Sequence, residues 1–208
     1  MSLSEKLAQG VAELGLRLPA ATLRKLLDYL ALIAKWNRVH NLTSVRESSK
    51  MVSKHLLDCL AVVPHLEAHT VLDVGRGAGL PGMPLALMWS QASVTLLDSN
   101  HKKAAFLRQA VIELGLNNVD VVCERVETWQ PAQEFDLVIS RALSDLPEFV
   151  NLAGRLCGAD GVVAAMKGVY PYEELAQLPH EFRLRSVVPL KVPGVLAERH
   201  LVLLNPVH

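Results

Sequence analysis

From Thr70 onward the chain alternates short apolar runs with polar or helical stretches, and this alternation limits the fold more than any other feature. Runs at 70–74, 93–98, 119–123, 135–140 and 161–166 are rich in Val, Leu and Ile. A strand with one face in water alternates apolar and polar residues; a strand covered on both faces reads as a near-continuous apolar run. The segment 101–114 between two of the runs has helical spacing. Such strands separated by helices imply a parallel sheet with helices on both sides. Two more runs, at 185–190 and 200–204, have no long helix between them, only the Pro193-Gly194 turn signal. They are expected to pair as an antiparallel hairpin. The expected fold class is therefore α/β: a Rossmann-like, mostly parallel seven-stranded sheet that ends in a C-terminal antiparallel hairpin.

The preceding residues follow a different pattern. Leu23, Leu26, Leu27, Leu30, Ile33 and Ala34 recur at helical spacing, which predicts a helix over 21–34. A second helix is expected over about 47–63, with Val52, Leu56, Cys59, Leu60 and Val63 on its apolar stripe and Pro64 limiting it. Residues 1–66 read as an N-terminal helical cap and 67–208 as the sheet domain, the two forming one compact unit. The formal net charge is zero, but the first 69 residues hold nine Lys and Arg against six Asp and Glu. That excess suits a nucleic-acid contact and suits a solvated helix face equally well. No apolar run is long enough to span a membrane, and the first residues lack the pattern of a secretory leader. Cys59, Cys123 and Cys157 are widely spaced with no CxxC pair, so neither a disulfide framework nor a zinc site is expected. The cytoplasm and a chain without a metal site follow as expectations.

The chemistry begins at Val71-Leu72-Asp73-Val74-Gly75-Arg76-Gly77-Ala78-Gly79-Leu80-Pro81-Gly82. A strand ends, a glycine-rich turn follows, and a helix starts with its N–H groups free. Gly77, Gly79 and Gly82 satisfy the bare dinucleotide pattern Gly-x-Gly-x-x-Gly, but in the wrong register. That fingerprint starts where the strand ends. Counted from Gly75, its third glycine falls on Leu80. The loop instead reads Asp-x-Gly-x-Gly-x-Gly, the form found in methyltransferases that use S-adenosylmethionine. The second strand then ends in Asp98, placed to accept hydrogen bonds from ribose hydroxyls. Asp98 is alternatively a helix cap, a role that Ser99 or Asn100 could take instead. After the third strand, Glu124-Arg125-Val126-Glu127 falls where an adenine-contacting loop would lie. S-adenosylmethionine is the leading cofactor, with a nicotinamide oxidoreductase as the weaker reading.

Absences narrow the acceptor. The fourth strand runs into Ser140-Arg141-Ala142-Leu143, without the Asp/Asn-Pro-Pro-Tyr/Phe motif that holds an exocyclic amine. No Pro-Cys or Cys-Pro dipeptide supplies a nucleophile for cytosine carbon-5 chemistry. An acceptor that is already nucleophilic, such as a ring nitrogen, is left by elimination. A small-molecule methyltransferase and a non-catalytic nucleotide- or RNA-binding module remain open on these grounds.

The chain resembles the glucose-inhibited division protein B family, ribosomal RNA small-subunit methyltransferase G. The resemblance rests on Trp36-Asn37 with Asn41-Leu42-Thr43-Ser44-Val45-Arg46, on His55-Leu56-Leu57-Asp58-Cys59, and on the glycine loop. It extends through Leu96-Leu97-Asp98-Ser99, Lys102-Lys103 with Phe106-Leu107, and Arg125-Val126-Glu127. Ile139-Ser140-Arg141-Ala142, Lys167-Gly168 and Glu198-Arg199-His200-Leu201-Val202 complete it. It implies a class I methyltransferase fold and transfer of a methyl group to N7 of one guanine in the helix 18 loop of 16S rRNA. It implies a substrate that is the rRNA, the small subunit or its assembly intermediate; a monomer is expected. By motif position it implies cofactor contacts at Gly75, Leu80, Asp98, Val126, Glu127 and Arg141, with Gly77, Gly79 and Ser99 completing the expected set. Arg76 departs from the family's usual Thr or Ser, and both a solvent-facing and a carboxylate-binding reading stay open for it.

Guanine N7 carries a free lone pair at neutral pH, so no catalytic general base is expected and the protein would mainly supply approach geometry. The candidates for RNA or active-site contact are Asn41, His55, Arg125, Arg141, Lys167 and Arg199. The four cations are expected to meet phosphate, O6 or the cofactor carboxylate, because a cation against N7 would block the methyl and oppose the charge of the product. Surface ion pairing is the alternative for each. Asn41 reads equally as a structural turn. His55 and Asp58, three apart on one helix face, are expected to pair with each other. Trp36 is expected in the core.

Overall fold

The computed structural model describes residues 1–75, 77–141 and 145–207. Its seven strands are β1 (Thr70–Val74), β2 (Ser93–Leu97), β3 (Val119–Val122), β4 (Phe135–Arg141), β5 (Cys157–Lys167), β6 (Phe182–Pro189) and β7 (His200–Pro206). They form one sheet in the order β3-β2-β1-β4-β5-β7-β6. The first five are parallel neighbours. β7 runs antiparallel between β5 and β6, so the hairpin expected from 185–190 and 200–204 is present and folds back to seat its last strand inside the sheet.

The helices are α1 (Leu3–Glu13), α2 (Ala20–His40), α3 (Ser48–Met51), α4 (Asp58–Leu60), α5 (Gly82–Met88), α6 (His101–Leu114), α7 (Leu146–Ala153) and α8 (Tyr172–Ala176). The near-continuous apolar runs now have their cause. Val71, Val94, Leu96, Leu137, Ile139 and Leu201 join one hydrophobic cluster with α1, α2, α5 and α6. Leu72, Val74, Leu97, Val138, Val163 and Val202 point the other way, into a second cluster with α7. Strand residues alternate between faces, and both faces are dry. The cap helices lie within the first cluster, so they share a core with the sheet.

Three local expectations need correction. α1 was not anticipated; it buries only Leu7, Gly10 and Val11, too narrow a stripe to stand out. Its signal was the capping box, in which Ser2 Oγ accepts from the Glu5 N–H and the Glu5 carboxylate accepts from the Ser2 N–H. α2 runs on past 34 to His40 because the buried stripe Leu26, Tyr29, Leu30, Ile33 continues to Asn37, a polar residue that conceals the periodicity. The helix expected over 47–63 is not regular: between α3 and α4 the backbone widens into a π-helical stretch, Val52–Leu57, and a 3-10 turn closes it at Val63–His65. This segment is almost wholly buried, so neighbours on every side set its winding. π-helical insertions of this kind gather at functional sites.

α2 ends at Asn41, whose φ of 46° is left-handed, a conformation that Asn tolerates better than most residues. The chain then turns back on itself. The buried Asn37 amide clamps the turn: its Nδ2 donates to the Thr43 carbonyl and its Oδ1 accepts from the Thr43 N–H, both at 2.9 Å. Asn37→Ala leaves both Thr43 groups without these partners. It should lower stability by about 1–2 kcal/mol, the scale of unmade hydrogen bonds at a half-buried place. Urea unfolding checks this: the midpoint should fall with the slope unchanged.

Candidate active site

The strand order reverses between β1 and β4, and in open α/β sheets ligands bind at that point, beyond the C-terminal strand ends. Paired register between β1 and β4 stops at Asp73 and Ile139. Beyond it, Ser140 Oγ donates to the Val74 carbonyl at 2.7 Å and holds the two strand ends together. Asp73 lies buried beneath the glycine loop, and its Oδ2 accepts from the Gly82 N–H at 2.8 Å. A side chain at Gly82 would stand 2.7 Å from that oxygen, so the loop can close over Asp73 only with glycine there. Gly79 has a φ of 69°, and a Cβ on it would strike Leu107. Gly75 and Gly77 are different: a Cβ at either would meet nothing within 3.4 Å. One motif thus serves two purposes, tight packing at its end and open backbone at its start.

Three clefts lie at or beside this loop, two of them lined by its residues. The first, about 350 Å³, is lined by Gly75, Leu97, Asp98, Ser99 and 124–127, among others. The second, about 160 Å³, is lined by Leu42, Thr43, Gly75, Gly77–Leu80 and Arg141. The third, about 500 Å³, is lined by 43–45, Lys54, His55, Asp58, Arg141, Met166–Gly168 and Arg199. Gly75 belongs to the first and second; Thr43 and Arg141 belong to the second and third. The clefts thus lie side by side, from the ends of β2 and β3 to the ends of β4 and β5.

The expected cofactor residues come together along the first two clefts. Asp98 is buried in the wall, where its Oδ1 accepts from the Asn100 N–H at 2.8 Å. It is not the helix cap; Asn100 caps α6 by accepting from the N–H groups of Lys102 and Lys103. The carboxylate at the end of β2, the open backbone at Gly75 and the apolar Val74, Val126 and Leu152 fit a ribose carrying a flat base. Ser99 and Glu127 are exposed on the rim, with Arg125 exposed beside them. Arg125 therefore lies by the first cleft, away from Arg141, Lys167 and Arg199, which line the third. Arg76 and Ala142 lie outside the described residues.

The third cleft overturns one expected pairing. Asp58 does not bond to His55. It is shared by two guanidinium groups: Arg141 Nη1 lies 3.1 Å from Oδ2 and Arg199 Nε 2.9 Å from Oδ1. Arg141 also donates to the Lys54 carbonyl, and Arg199 to the Glu198 carbonyl. His55 instead faces the clamped turn, its Nε2 sharing a hydrogen bond with Thr43 Oγ1 at 2.8 Å. Burial, then the Arg141 charge, pushes the His55 imidazole down to about 4, so it is neutral at physiological pH. Lys167 Nζ meets Glu174 Oε2 at 2.7 Å. Asn41 is exposed at the turn, its Oδ1 accepting from Arg46 at 3.4 Å. Trp36 is half-buried, with its ring edge-on to Phe106 at 5.6 Å. Asp58, Thr43 and Asp73 are site residues whose roles the sequence reading missed. The available signals were the apolar residues that flank Asp58 in sequence, Leu56, Leu57, Cys59 and Leu60, and the acid that opens the glycine motif.

The family model described as GidB, rRNA small subunit methyltransferase G, matches residues 22–202. The chain belongs to this family. A ribosomal RNA small subunit methyltransferase G of Laribacter hongkongensis is 56% identical over 205 residues, covering 99% of each chain. One of Nitrosospira multiformis is 54% identical, covering 99% of this chain and 98% of that one. Among solved structures, a SAM-dependent methyltransferase from Aquifex aeolicus has a TM-score of 0.57 at 22% identity, over 73% of this chain and 91% of that one. Coclaurine N-methyltransferase bound to N-methylheliamine and SAH also scores 0.57, at 11% identity, over 90% of this chain and 65% of that one. These distant structures bear on the fold, which is the Rossmann-like class I methyltransferase fold. As a member of the family the chain is a methyltransferase.

Two buried groups give the site an acid–base signature. His55 takes up its proton near pH 4 in the folded chain and near 6.5 in the unfolded one. Between those values the unfolded state binds more protons, so this group makes stability rise with pH. Asp73 is opposite: burial pushes its carboxyl up to about 7, against the Gly82 N–H and Arg141, which lower it. The folded state then binds more protons from about 4 to 7, and stability falls with pH. The two slopes oppose, each at most ~1.4 kcal/mol per pH unit. His55→Gln should therefore lose stability, relative to wild type, as pH rises from 4.5 to 6.5, and Asp73→Asn should gain it. Urea unfolding of the three proteins across that range measures both, and parallel curves would refute the assignment.

Proposed function

We propose that this chain transfers a methyl group from S-adenosylmethionine to N7 of one guanine in the helix 18 loop of 16S rRNA. Its substrate in this reading is 16S rRNA, free, within the small ribosomal subunit or in an assembly intermediate of it, and it acts as a monomer in the cytoplasm. Membership of the family supports the reading, as does the name its relatives carry. The observation that carries it is the adjacency of the three clefts. The ribose-fitting cleft shares Gly75 with the second cleft, which shares Thr43 and Arg141 with a cleft lined also by Lys167 and Arg199. No described helix is long and apolar enough to cross a membrane. We also propose that residues 1–66 act as a cap on 67–208, because the cap supplies Thr43, His55 and Asp58 to the third cleft.

Bound S-adenosylmethionine supplies an electrophilic sulfonium methyl. The chain's part is binding, orientation and exclusion of water. Gly75, Gly77, Gly79, Leu80, Asp98, Ser99, Val126 and Glu127 would hold the cofactor, with Arg141 near both ligands. Arg141, Lys167 and Arg199 would hold the polyanion, with Arg125 and Asn41 at its margins. Their charges are tempered by Asp58 and Glu174, which fix where each guanidinium or ammonium points.

Proton removal is not needed for attack by a lone pair, and the one histidine lining the third cleft is unsuited to it. His55 near 4 is a poor base at neutral pH. Cys59 is buried and its thiol is raised far above the ordinary value, while Cys157 is raised to about 12, both mainly by burial. The single-turnover rate at saturating substrates should therefore be nearly flat from pH 6.5 to 8.5 in wild type and in His55→Gln. A rise with an apparent pKa near 7 that His55→Gln abolishes would refute it.

The decisive experiment is to map labelled methyl groups in 16S rRNA after incubation with purified protein; label at a guanine N7 is the expected outcome. Two variants should separate the clefts. Asp98→Ala should weaken S-adenosylmethionine binding by about 1–3 kcal/mol, the scale of a hydrogen bond to a charged group. Arg199→Ala should lower RNA methylation at limiting RNA while leaving cofactor affinity, read by calorimetry, within about twofold. The reverse pattern would reassign both residues.

A further inference from the structure

Two residues beyond Gly168, which lines the third cleft, begins an aromatic group that the reaction itself does not use. Tyr172, at the start of α8, is 75% exposed. Every other described Phe, Trp and Tyr is buried or half-buried. Its ring lies against that of Tyr170, with centroids 4.3 Å apart and planes 37° from parallel. Tyr170 in turn stands edge-on to His200 at 5.7 Å and 82°. The base of this group is fixed. His200 Nδ1 shares a 2.7 Å hydrogen bond with the Gly168 carbonyl, and His200 is the strand partner of Lys167 across β5 and β7. Glu174 of α8 binds both Lys167 and the Leu146 N–H. The rings therefore stand on the same residues, Lys167 and Gly168, that line the cleft.

We propose that Tyr170 and Tyr172 form a stacking ledge for an unpaired base of the RNA substrate, next to the guanine that enters the cleft. The proposal rests on the reading of the chain as an RNA methyltransferase. Sequence-selective RNA recognition works on splayed, unstacked bases, and aromatic rings replace the stacking those bases lose. Grooves for single strands combine cations along the backbone with rings under the bases. Both parts are present here: Lys167 and Arg199 in the cleft, and the exposed Tyr172 face beside it. Leaving so large a ring in water has no packing benefit, because its contact with Tyr170 uses one side only. Lys167 and Arg199 favour a polyanion over a protein partner; the exposed Val169 beside the rings is apolar, and the test below separates the two.

The test uses the full chain and protein-free 16S rRNA in single-turnover methylation, with the RNA concentration varied. Tyr172→Ala should raise the RNA concentration for half-saturation roughly tenfold, within the range that removal of one stacking ring produces. The limiting rate and S-adenosylmethionine affinity should stay as in wild type. Tyr172→Phe should behave like wild type, because the ring and not the hydroxyl does the stacking. Urea midpoints confirm that both variants fold. An unchanged half-saturation in Tyr172→Ala overturns the proposal, and so does an equal loss in Tyr172→Phe. A loss seen on assembled subunits but not on protein-free rRNA assigns the ledge to a ribosomal protein and also overturns it. Wild type that methylates no RNA in either form removes the underlying function, and the ledge with it; this outcome is distinct because it shows in the wild type alone.

Discussion

A buried carboxylate shared by two arginines holds this site together. Asp58 comes from the irregular helix of the cap, Arg141 from the end of β4 and Arg199 from the residue before β7. These positions are 83 and 141 residues apart in sequence from Asp58. A lone carboxylate in so dry a place would cost several kcal/mol, and the two guanidinium groups offset this with charge-assisted hydrogen bonds. Such an arrangement adds little net stability over an apolar one, but removal of a single partner leaves an uncompensated charge. Its effect is therefore geometric. It fixes the cap against the C-terminal edge of the sheet, where the clefts meet, and it sets where both guanidinium groups lie.

Beneath that network the buried titratable groups shift toward neutrality. Burial raises Asp73 against the opposing Arg141 charge, and it lowers His55, where the Arg141 charge adds to the effect. The formal charge of the third cleft then resides in Lys54, Arg141, Lys167 and Arg199, partly offset by Asp58. A cleft of this kind favours a polyanion without placing a base beside the reacting atom. Asp73 is near neutral for the same reason that Gly82 must be glycine: the loop closes directly on top of it and excludes water.

The sheet was legible because covering on both faces writes itself into composition, as continuous Val, Leu and Ile in each central strand. The hairpin was legible from Pro193-Gly194, where Gly194 does take a positive φ of 75°. The cap was harder. Its helices bury polar groups, Asn37 and Asp58, whose partners Thr43, Arg141 and Arg199 lie on other elements. A periodicity rule reads such residues as breaks in a stripe. The i, i+3 relation of His55 and Asp58 suggested a local pair, but each found a better partner across the fold, and the π-helical winding at Val52–Leu57 altered the face they would have shared. Long-range pairing of charges is not visible from spacing. The cofactor loop was legible in outline, but not the division of its glycines into two that pack and two that open to the cleft.

That division also explains why the cap and the cofactor loop cannot be treated separately. A Cβ at Gly77 would stand 3.5 Å from the Leu42 carbonyl, so the glycine loop and the clamped turn are in near contact. Leu42 and Thr43 form one wall of the second cleft while Thr43 and His55 form part of the third. Arg141 faces both. A change at Thr43 or Arg141 would therefore disturb the second and third clefts at once, and a loss of activity would not say which of them had failed. Arg199 and Lys167 line only the third cleft, and Asp98 only the first. The geometry divides the site at Arg141, and only residues well to either side of it can report on one ligand alone.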